Sequence, residues 1–147
     1  MTILRHFRAE DAELLRARLY PELESERIGA LIEEWGTLKY GGKYFEMFAV
    51  EEDGRVVGSA SLYEHSPSVV SAGNELFGGE RGKGLGTAAM RLLEEAAAGR
   101  GFRIIKDQVA ADNAGSIGLH EKCGFETDGY VYKNKKGVDV LIFLKAL

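Results

Sequence analysis

Cysteine, proline and long apolar runs are all scarce in this chain of 147 residues. The single cysteine, Cys123, cannot form an internal disulfide, which excludes a covalent framework and points to a reducing, cytoplasmic setting. The three histidines, His6, His65 and His120, show no zinc-ligand spacing, and no metal is expected. With two prolines, no Ser-rich or Pro-rich stretch and no internal repeat, nothing reads as a linker, so residues 1–147 are expected to form one domain. The longest apolar run, Val140 to Leu144, ends at Lys145, far short of the roughly 18 residues that span a bilayer, and no membrane partner is expected. The opening MTILRHFRAEDAELL mixes Arg5 and Arg8 with Glu10, Asp11 and Glu13 and leads into no apolar core, so no signal peptide is expected. Positive charge is also in deficit. The 19 Lys and Arg against 23 Asp and Glu leave a net charge of −4 with no basic block, which argues against a nucleic-acid partner.

What the chain does have is a 45% apolar content, enough for a real core, and 19 glycines. The glycines gather at Gly41-Gly42 and between Gly78 and Gly86, and elsewhere follow apolar segments, where turns, helix ends and close ligand approach need no Cβ. Thr2 to Arg5 reads as a short strand. The acids of Ala9-Glu10-Asp11 open a helix carrying Leu14, Leu15 and Leu19 that Pro21 stops, and Ile28, Leu31, Ile32 and Trp35 mark a second helix. Tyr44 to Glu51 alternates Phe45, Met47 and Ala49 against Tyr44, Glu46, Phe48 and Val50, and the Asp53-Gly54 turn leads into Arg55 to Glu64, a hairpin. Ser68 to Phe77 reads as a third antiparallel strand, with a bulge expected at Gly73 and Asn74. From Leu85 to about Arg100 the positions Leu85, Ala88, Ala89, Leu92, Leu93 and Ala96 form a helical stripe, closed by Gly99 and Gly101. Phe102 to Val109 is a strand and Ala114 to Lys122 a short helix. Gly129 to Lys133 and Val138 to Leu144 form a terminal hairpin. The fold class is therefore α/β: a central twisted mixed sheet flanked by about four helices, the long helix crossing over between two parallel neighbours.

The densest chemical signal is Glu80-Arg81-Gly82-Lys83-Gly84-Leu85-Gly86-Thr87, a glycine-rich turn between a strand and the long helix. Its glycines let backbone N–H groups approach a ligand. The first-turn N–H groups of the helix lack partners, the helix dipole favours an anion, and Arg81 and Lys83 add positive charge. A phosphate group is the expected guest; a tight turn with two solvated cations is the plain alternative. A Walker loop is excluded because Gly82-Lys83 is followed by Gly84 rather than Ser or Thr. A dinucleotide fingerprint fits better: Gly84-x-Gly86-x-x-Ala89 matches G-x-G-x-x-A, and Asp107 lies near the ~20-residue offset of a ribose-binding acid. The strand-rich segment before Gly78 and the short stretch after Asp107 leave no room for a second mononucleotide half, which ranks this dinucleotide-binding reading lower.

Arg81 to Gly86 also resembles the R/Q-x-x-G-x-G/A pyrophosphate loop of the GNAT family of N-acetyltransferases. The segment from Asp112-Asn113-Ala114-Gly115-Ser116 through Leu119-His120-Glu121-Lys122-Cys123-Gly124-Phe125 is similar to that family's second motif. Both occur in the family's order, and the element order over nearly the whole chain is similar to its fold. The resemblance implies acetyl-CoA as cosubstrate and direct attack by a primary amine of a small molecule or peptide, with no acyl-enzyme. Carried over, it assigns the pyrophosphate to the backbone from Gly82 through Lys83, Gly84, Leu85 and Gly86 to Thr87, flanked by Arg81. It assigns main-chain contacts with the pantetheine and the thioester carbonyl to Leu76 and Phe77, on a strand that should splay from its neighbour, and further pantetheine contacts to Asn113 and Ser116. A preorganised N–H aimed at the developing oxyanion is the physical requirement.

His120 stands where the family more often has a tyrosine that protonates the leaving thiolate. In this it is similar to the branch that includes the phosphinothricin and methionine sulfoximine acetyltransferases. An imidazole can serve as that acid, or can simply pack on the cofactor. Glu75 and Asp107 are the candidate bases, Asp107 being expected to face the interior beside Ile105 and Val109, though a structural ion pair or water as base fits as well. Cys123 reads as a packed thiol. Between residues 20 and 48, Glu22, Glu24, Glu26, Glu33 and Glu34 precede Trp35, Tyr40, Tyr44, Phe45 and Phe48. That pattern suits an acidic, aromatic mouth for a cationic amine, and equally a solvated helix face over core aromatics. A non-catalytic acyl-CoA-binding sensor is the alternative from another class. The edge of the terminal hairpin could pair with a second copy, a homodimer that nothing in the sequence demands.

Overall fold

The computed structural model describes residues 1–147. In chain order the elements are β1 (Thr2–Arg5), a 3-10 turn at Ala9–Asp11, α1 (Ala12–Arg18), α2 (Ser25–Trp35), β2 (Lys39–Tyr40), β3 (Lys43–Glu52), β4 (Arg55–Ser66), β5 (Val69–Leu76), α3 (Leu85–Gly99), β6 (Ile104–Ala110), α4 (Ala114–Lys122), β7 (Tyr132–Lys133) and β8 (Asp139–Ala146). They build one open mixed sheet in the order β1-β3-β4-β5-β6-β8-β7, with β2 paired to β3. Every pairing is antiparallel except β5 with β6, the two strands joined by α3. No helix is long and apolar enough to cross a membrane.

The two faces of the sheet carry separate cores, and the alternation in β3 shows why. Phe48 and Val50 point to the face covered by α3, where they join Leu85, Ala89, Met90, Leu93 and Ala97 of that helix. Ala49 and the half-buried Met47 point to the opposite face, where α1 and α2 contribute Leu15 and Ile28. Burying each such aliphatic or aromatic side chain stabilises the fold by roughly 1.5–3 kcal/mol, so the period-2 strand pattern and the α3 stripe together settle which face each element covers. Glu46 is also turned to the α3 face and is fully buried. It is held by Arg100 at 2.5 Å, by His6 at 2.6 Å and by the Tyr44 hydroxyl, which ties β1 and β3 to the end of α3.

Two expectations need correction, and one element is new. The bulge expected at Gly73 and Asn74 is absent: Gly73 pairs with Ser61 and Asn74 with Ala60 in register, and the shift lies between Glu64 and Ser66. Gly58 in β4 helps hold this ladder, since a Cβ there would come 2.3 Å from the carbonyl oxygen of Glu75. The terminal hairpin is shorter than expected, because only Tyr132 and Lys133 pair with β8. Gly129 has a φ of 78°, and the Asp128 carboxylate accepts the Tyr130 N–H at 2.9 Å, which curls the segment before it can extend. The strand β2 was not anticipated. Gly41 and Gly42, with φ of 58° and 81°, make the left-handed two-residue turn that folds Lys39 and Tyr40 back on β3.

Candidate active site

The site begins where the sheet stops being a sheet. β5 and β6 pair only at Val69 with Ile104 and at Val70 with Ile105, although β5 continues to Leu76 and β6 to Ala110. Beyond that point the strands part. The Phe77 N–H donates to Val57 of β4 at 2.9 Å, whereas the Ala72 N–H faces β6. With the period of two in a strand, the main-chain groups of Asn74 and Leu76 face β6 as well, into the opening.

Across the start of this gap, Asp107 of β6 reaches over with its side chain. Its Oδ1 accepts the Ala72 N–H at 2.8 Å, and its Oδ2 lies 2.8 Å from His120 Nε2. His120 Nδ1 lies 2.7 Å from the Ser116 carbonyl oxygen, which can only accept, so Nδ1 carries a hydrogen. Nε2 then shares a proton with the carboxylate. Asp107 is 4% and His120 5% exposed. Burial alone would lower the His120 pKa, but the hydrogen bonds to Asp107 and Ser116 and the Asp107 charge together raise it above the ordinary imidazole value. Phe125 and Phe143 pack against the ring, with centroids 4.8 and 5.2 Å away.

On the α3 face, the loop from β5 to α3 forms the second half of the site. Gly82 and Gly84 take φ of 77° and 79°, a left-handed geometry that costs any residue with a Cβ, and Gly84 is the N-cap of α3. None of the N–H groups from Arg81 to Thr87 donates to a protein acceptor, and the first helical bond is from the Ala88 N–H to the Gly84 carbonyl. The first turn of α3 holds no acid. Glu80, just before it, is pulled down to about 2 by its bonds to Arg55 and Lys83. That network ties the loop to β4 and occupies Lys83, so the free cation of the loop is Arg81.

A cavity of about 700 Å³ opens between this loop, the free edge of β5 and the start of α4, lined by Glu75, Leu76, Arg81, Gly82, Gly84, Gly86, Thr87, Asn113 and Ser116 among others. The two motifs therefore meet on one surface. Asn113 caps α4, its Oδ1 accepting the Ser116 N–H at 3.0 Å. Lys83 and Leu85 keep their main-chain N–H groups unpartnered in the loop while the Lys83 side chain turns to Glu80 and the Leu85 side chain enters the core; Phe77 lies elsewhere, buried in the α1–α2 core with its N–H bonded to Val57 and its carbonyl to the Glu80 N–H. Asn74 and Lys122, which sequence reasoning did not single out, line the same cavity. Only the parting of the strands exposes the main chain of Asn74, and only α4 brings Lys122 near the loop. His120 and Asp107 line an adjoining cavity of about 1010 Å³ that shares Asn74, Ser116 and Leu119 with the first. Asp107 is thus committed inside the protein and is unavailable to a ribose, which removes the acid that the dinucleotide reading needs.

Comparison with known proteins adds an independent line. The model of the acetyltransferase (GNAT) family matches residues 9–125. Two curated relatives, the L-methionine sulfoximine/L-methionine sulfone acetyltransferases of Pseudomonas paraeruginosa and Pseudomonas aeruginosa, are each 33% identical over 88 residues, covering 56% of this chain and 51% of the relative. The chain thus matches about half the length of these relatives. Among solved structures, a microcin C7 self-immunity acetyltransferase in complex with acetyl-CoA and AMP superposes with a TM-score of 0.82 at 19% identity, covering 99% of this chain and 92% of that one. A ribosomal-protein-alanine N-acetyltransferase from Brucella melitensis does so with a TM-score of 0.75 at 25% identity, covering 99% of both chains.

Proposed function

The chain belongs to the acetyltransferase (GNAT) family, and from that premise we propose that it is an acetyl-CoA-dependent N-acetyltransferase that moves the acetyl group directly to a primary amine of a small molecule or peptide. The observation that carries this reading is the run of unpartnered N–H groups from Arg81 to Thr87, opening on a cavity that both motifs line. Such a run, at the positive end of a helix and beside Arg81 and Lys122, suits a pyrophosphate. The free edge of β5 offers Asn74 and Leu76 as strand-like partners for the amides of a pantetheine arm and as a donor toward the thioester oxygen, where a fixed N–H stabilises developing charge.

In this reading the amine nitrogen bonds to the thioester carbonyl carbon and the carbon–sulfur bond breaks. Glu75, which lines both this cavity and a smaller one on the opposite face, takes the proton that the amine loses, and water protonates the departing thiolate. His120 holds its proton between Ser116 and Asp107 and keeps α4 seated on β6. To act as the acid it would first have to release Asp107. The names of the curated relatives contain amino-acid acceptors, and an α-amino acid is one acceptor this reading admits. A cytoplasmic setting belongs to the same reading.

A thermal-shift titration with acetyl-CoA, CoA, NADH and NADPH in parallel tests the proposal, because a ligand that binds only the folded state raises the midpoint. Acetyl-CoA is expected to stabilise the protein, less so in Arg81→Ala, and an amine screen with thiol detection is expected to show turnover. Stabilisation by a nicotinamide cofactor alone would overturn the reading. Stabilisation by acetyl-CoA with no turnover on any amine would favour a non-catalytic acyl-CoA sensor.

A further inference from the structure

On the sheet face covered by α1 and α2, a cavity of about 650 Å³ is lined by eleven residues, eight of them apolar or aromatic. Five of these are aromatic: Tyr20, Trp35, Tyr40, Phe45 and Tyr63. They contact one another in tilted and edge-on pairs, Tyr40 with Phe45 at 6.1 Å, Tyr40 and Phe45 each with Tyr63 at 6.3 Å, and Tyr20 with Trp35 at 6.4 Å between centroids. Tyr40 remains 69% exposed, so these rings form walls around an open space rather than a closed core.

The box lies in line with the reacting centre. Tyr20 and Met47 belong both to it and to the smaller cavity of about 350 Å³ that contains Asn74 and Glu75, and these two residues in turn line the cavity of the glycine loop. The shared lining gives an amine held at Glu75 a path along which its remaining atoms reach the box. Charge decides what those atoms are. At the rim Arg27 pairs with Glu34 at 3.0 Å, which leaves Glu22 as the one charged lining residue without an ion pair, and Glu22 is exposed. The charged lining groups, Glu22 and the Arg27–Glu34 pair, stand at the rim, and the other eight lining residues are apolar or aromatic, which suits an uncharged ring packed edge-on or offset against the aromatic walls.

We infer that the acceptor is a primary amine joined by a short link to an aromatic ring, with the ring seated among Tyr20, Trp35, Tyr40, Phe45 and Tyr63. This rests on the transferase reading above. The shared chemistry is an arylalkylamine, with or without a carboxylate beside the nitrogen. Arg18, in the wall of the smaller cavity, uses one guanidinium nitrogen on the Gly78 carbonyl at 2.9 Å and stacks over Phe77 at 4.8 Å, which leaves it donors for such a carboxylate.

The test compares acetyl-CoA-dependent thiol release for 2-phenylethylamine and phenylalanine with that for their ringless counterparts, ethylamine and alanine, and with spermidine. The ring is expected to raise kcat/KM by about tenfold or more, as burial of an aromatic group predicts. Tyr40→Ala, at an exposed position, and Leu31→Trp, which fills the box, are each expected to remove most of that preference. As a readout separate from turnover, 2-phenylethylamine should raise the melting midpoint of the CoA-saturated wild type and not that of Leu31→Trp. Equal or better use of the ringless amines or of spermidine, or a ring preference that survives both substitutions, would overturn the inference while leaving the transferase reading intact. Absence of both acetyl-CoA stabilisation and transfer to any amine would overturn that reading, and this inference with it.

Discussion

Replacement of Asp107 separates a structural role for the His120 pair from a catalytic one. In Asp107→Ala the Ala72 N–H and His120 Nε2 both lose their partner inside the protein, at a position 4% exposed. Breaking a buried, hydrogen-bonded pair in this way costs about 3–5 kcal/mol. With roughly 3 °C per kcal/mol for a chain of this size, the melting midpoint should fall by about 10 °C or more. Asp107→Asn behaves differently. Its amide oxygen can still accept from Ala72 and its NH2 can donate to a neutral His120 whose Nδ1–H stays on Ser116, so only the charge assistance is lost, about 1 kcal/mol. The pH dependence follows from the raised pKa of His120. The folded state holds the proton more tightly than the unfolded chain does, so this stabilisation is fully present below the ordinary imidazole value of about 6.5 and is lost as pH rises through the higher folded value. Circular dichroism melts of wild type and Asp107→Asn at pH 5.5 and pH 9 read this directly: the gap between the two should be wide at the lower pH and narrow at the higher. A gap of equal size at both pH values, or a cost under about 1 kcal/mol for Asp107→Ala, would refute the reasoning.

Other substitutions probe the loop and the sheet. His120→Gln is expected to lower the melting midpoint while the pH profile of kcat keeps its shape; disappearance of an alkaline loss of rate seen in the wild type, together with a large fall in kcat, would instead mark His120 as the proton donor. Gly84→Ala puts a Cβ into open space at a φ of 79°, so backbone strain of about 1–2 kcal/mol should appear in urea denaturation together with a smaller acetyl-CoA-induced shift. Gly58→Ala sets a Cβ 2.3 Å from the Glu75 carbonyl oxygen. It should cost about 1–3 kcal/mol in the same denaturation experiment and displace the edge of β5 that faces the cavity. Cys123 is 2% exposed and burial pushes its thiol pKa up, so in the folded protein it should resist a thiol reagent such as dithionitrobenzoate and react only on unfolding.

Much of this protein was legible from local pattern. The Leu85, Ala89 and Leu93 spacing, the alternation through Phe45 to Val50 and the Asp53-Gly54 turn each depend on residues close in sequence, and burial of one face is enough to select helix or strand for them. The two motifs were legible for the same reason, since a glycine turn ahead of a helix and an Asn cap at Asn113 are set by their own few residues. Features that depend on distant partners were not. Lys83 turns to Glu80 rather than outward because Arg55, from another strand, completes that ion pair. Gly73 and Asn74 look like a bulge in isolation, yet they lie in a regular ladder with β4, and the irregularity of β5 is on its other edge, where β6 leaves it.

By itself the sequence determined the order of the main helices and strands, the glycine-rich turn from Arg81 to Thr87 at the start of the long helix and the pairing of two motifs in one family's order. Only the tertiary structure decided that Asp107 and His120 occupy each other, that Asn74 rather than Phe77 presents a free main chain, and that the aromatics between Tyr20 and Tyr63 enclose an apolar space. The physical reason is common to all three. A hydrogen bond across a gap, an unpaired strand edge and a cavity exist only between segments far apart in the chain, and the packing of α1, α2 and α4 against the sheet settles where they form.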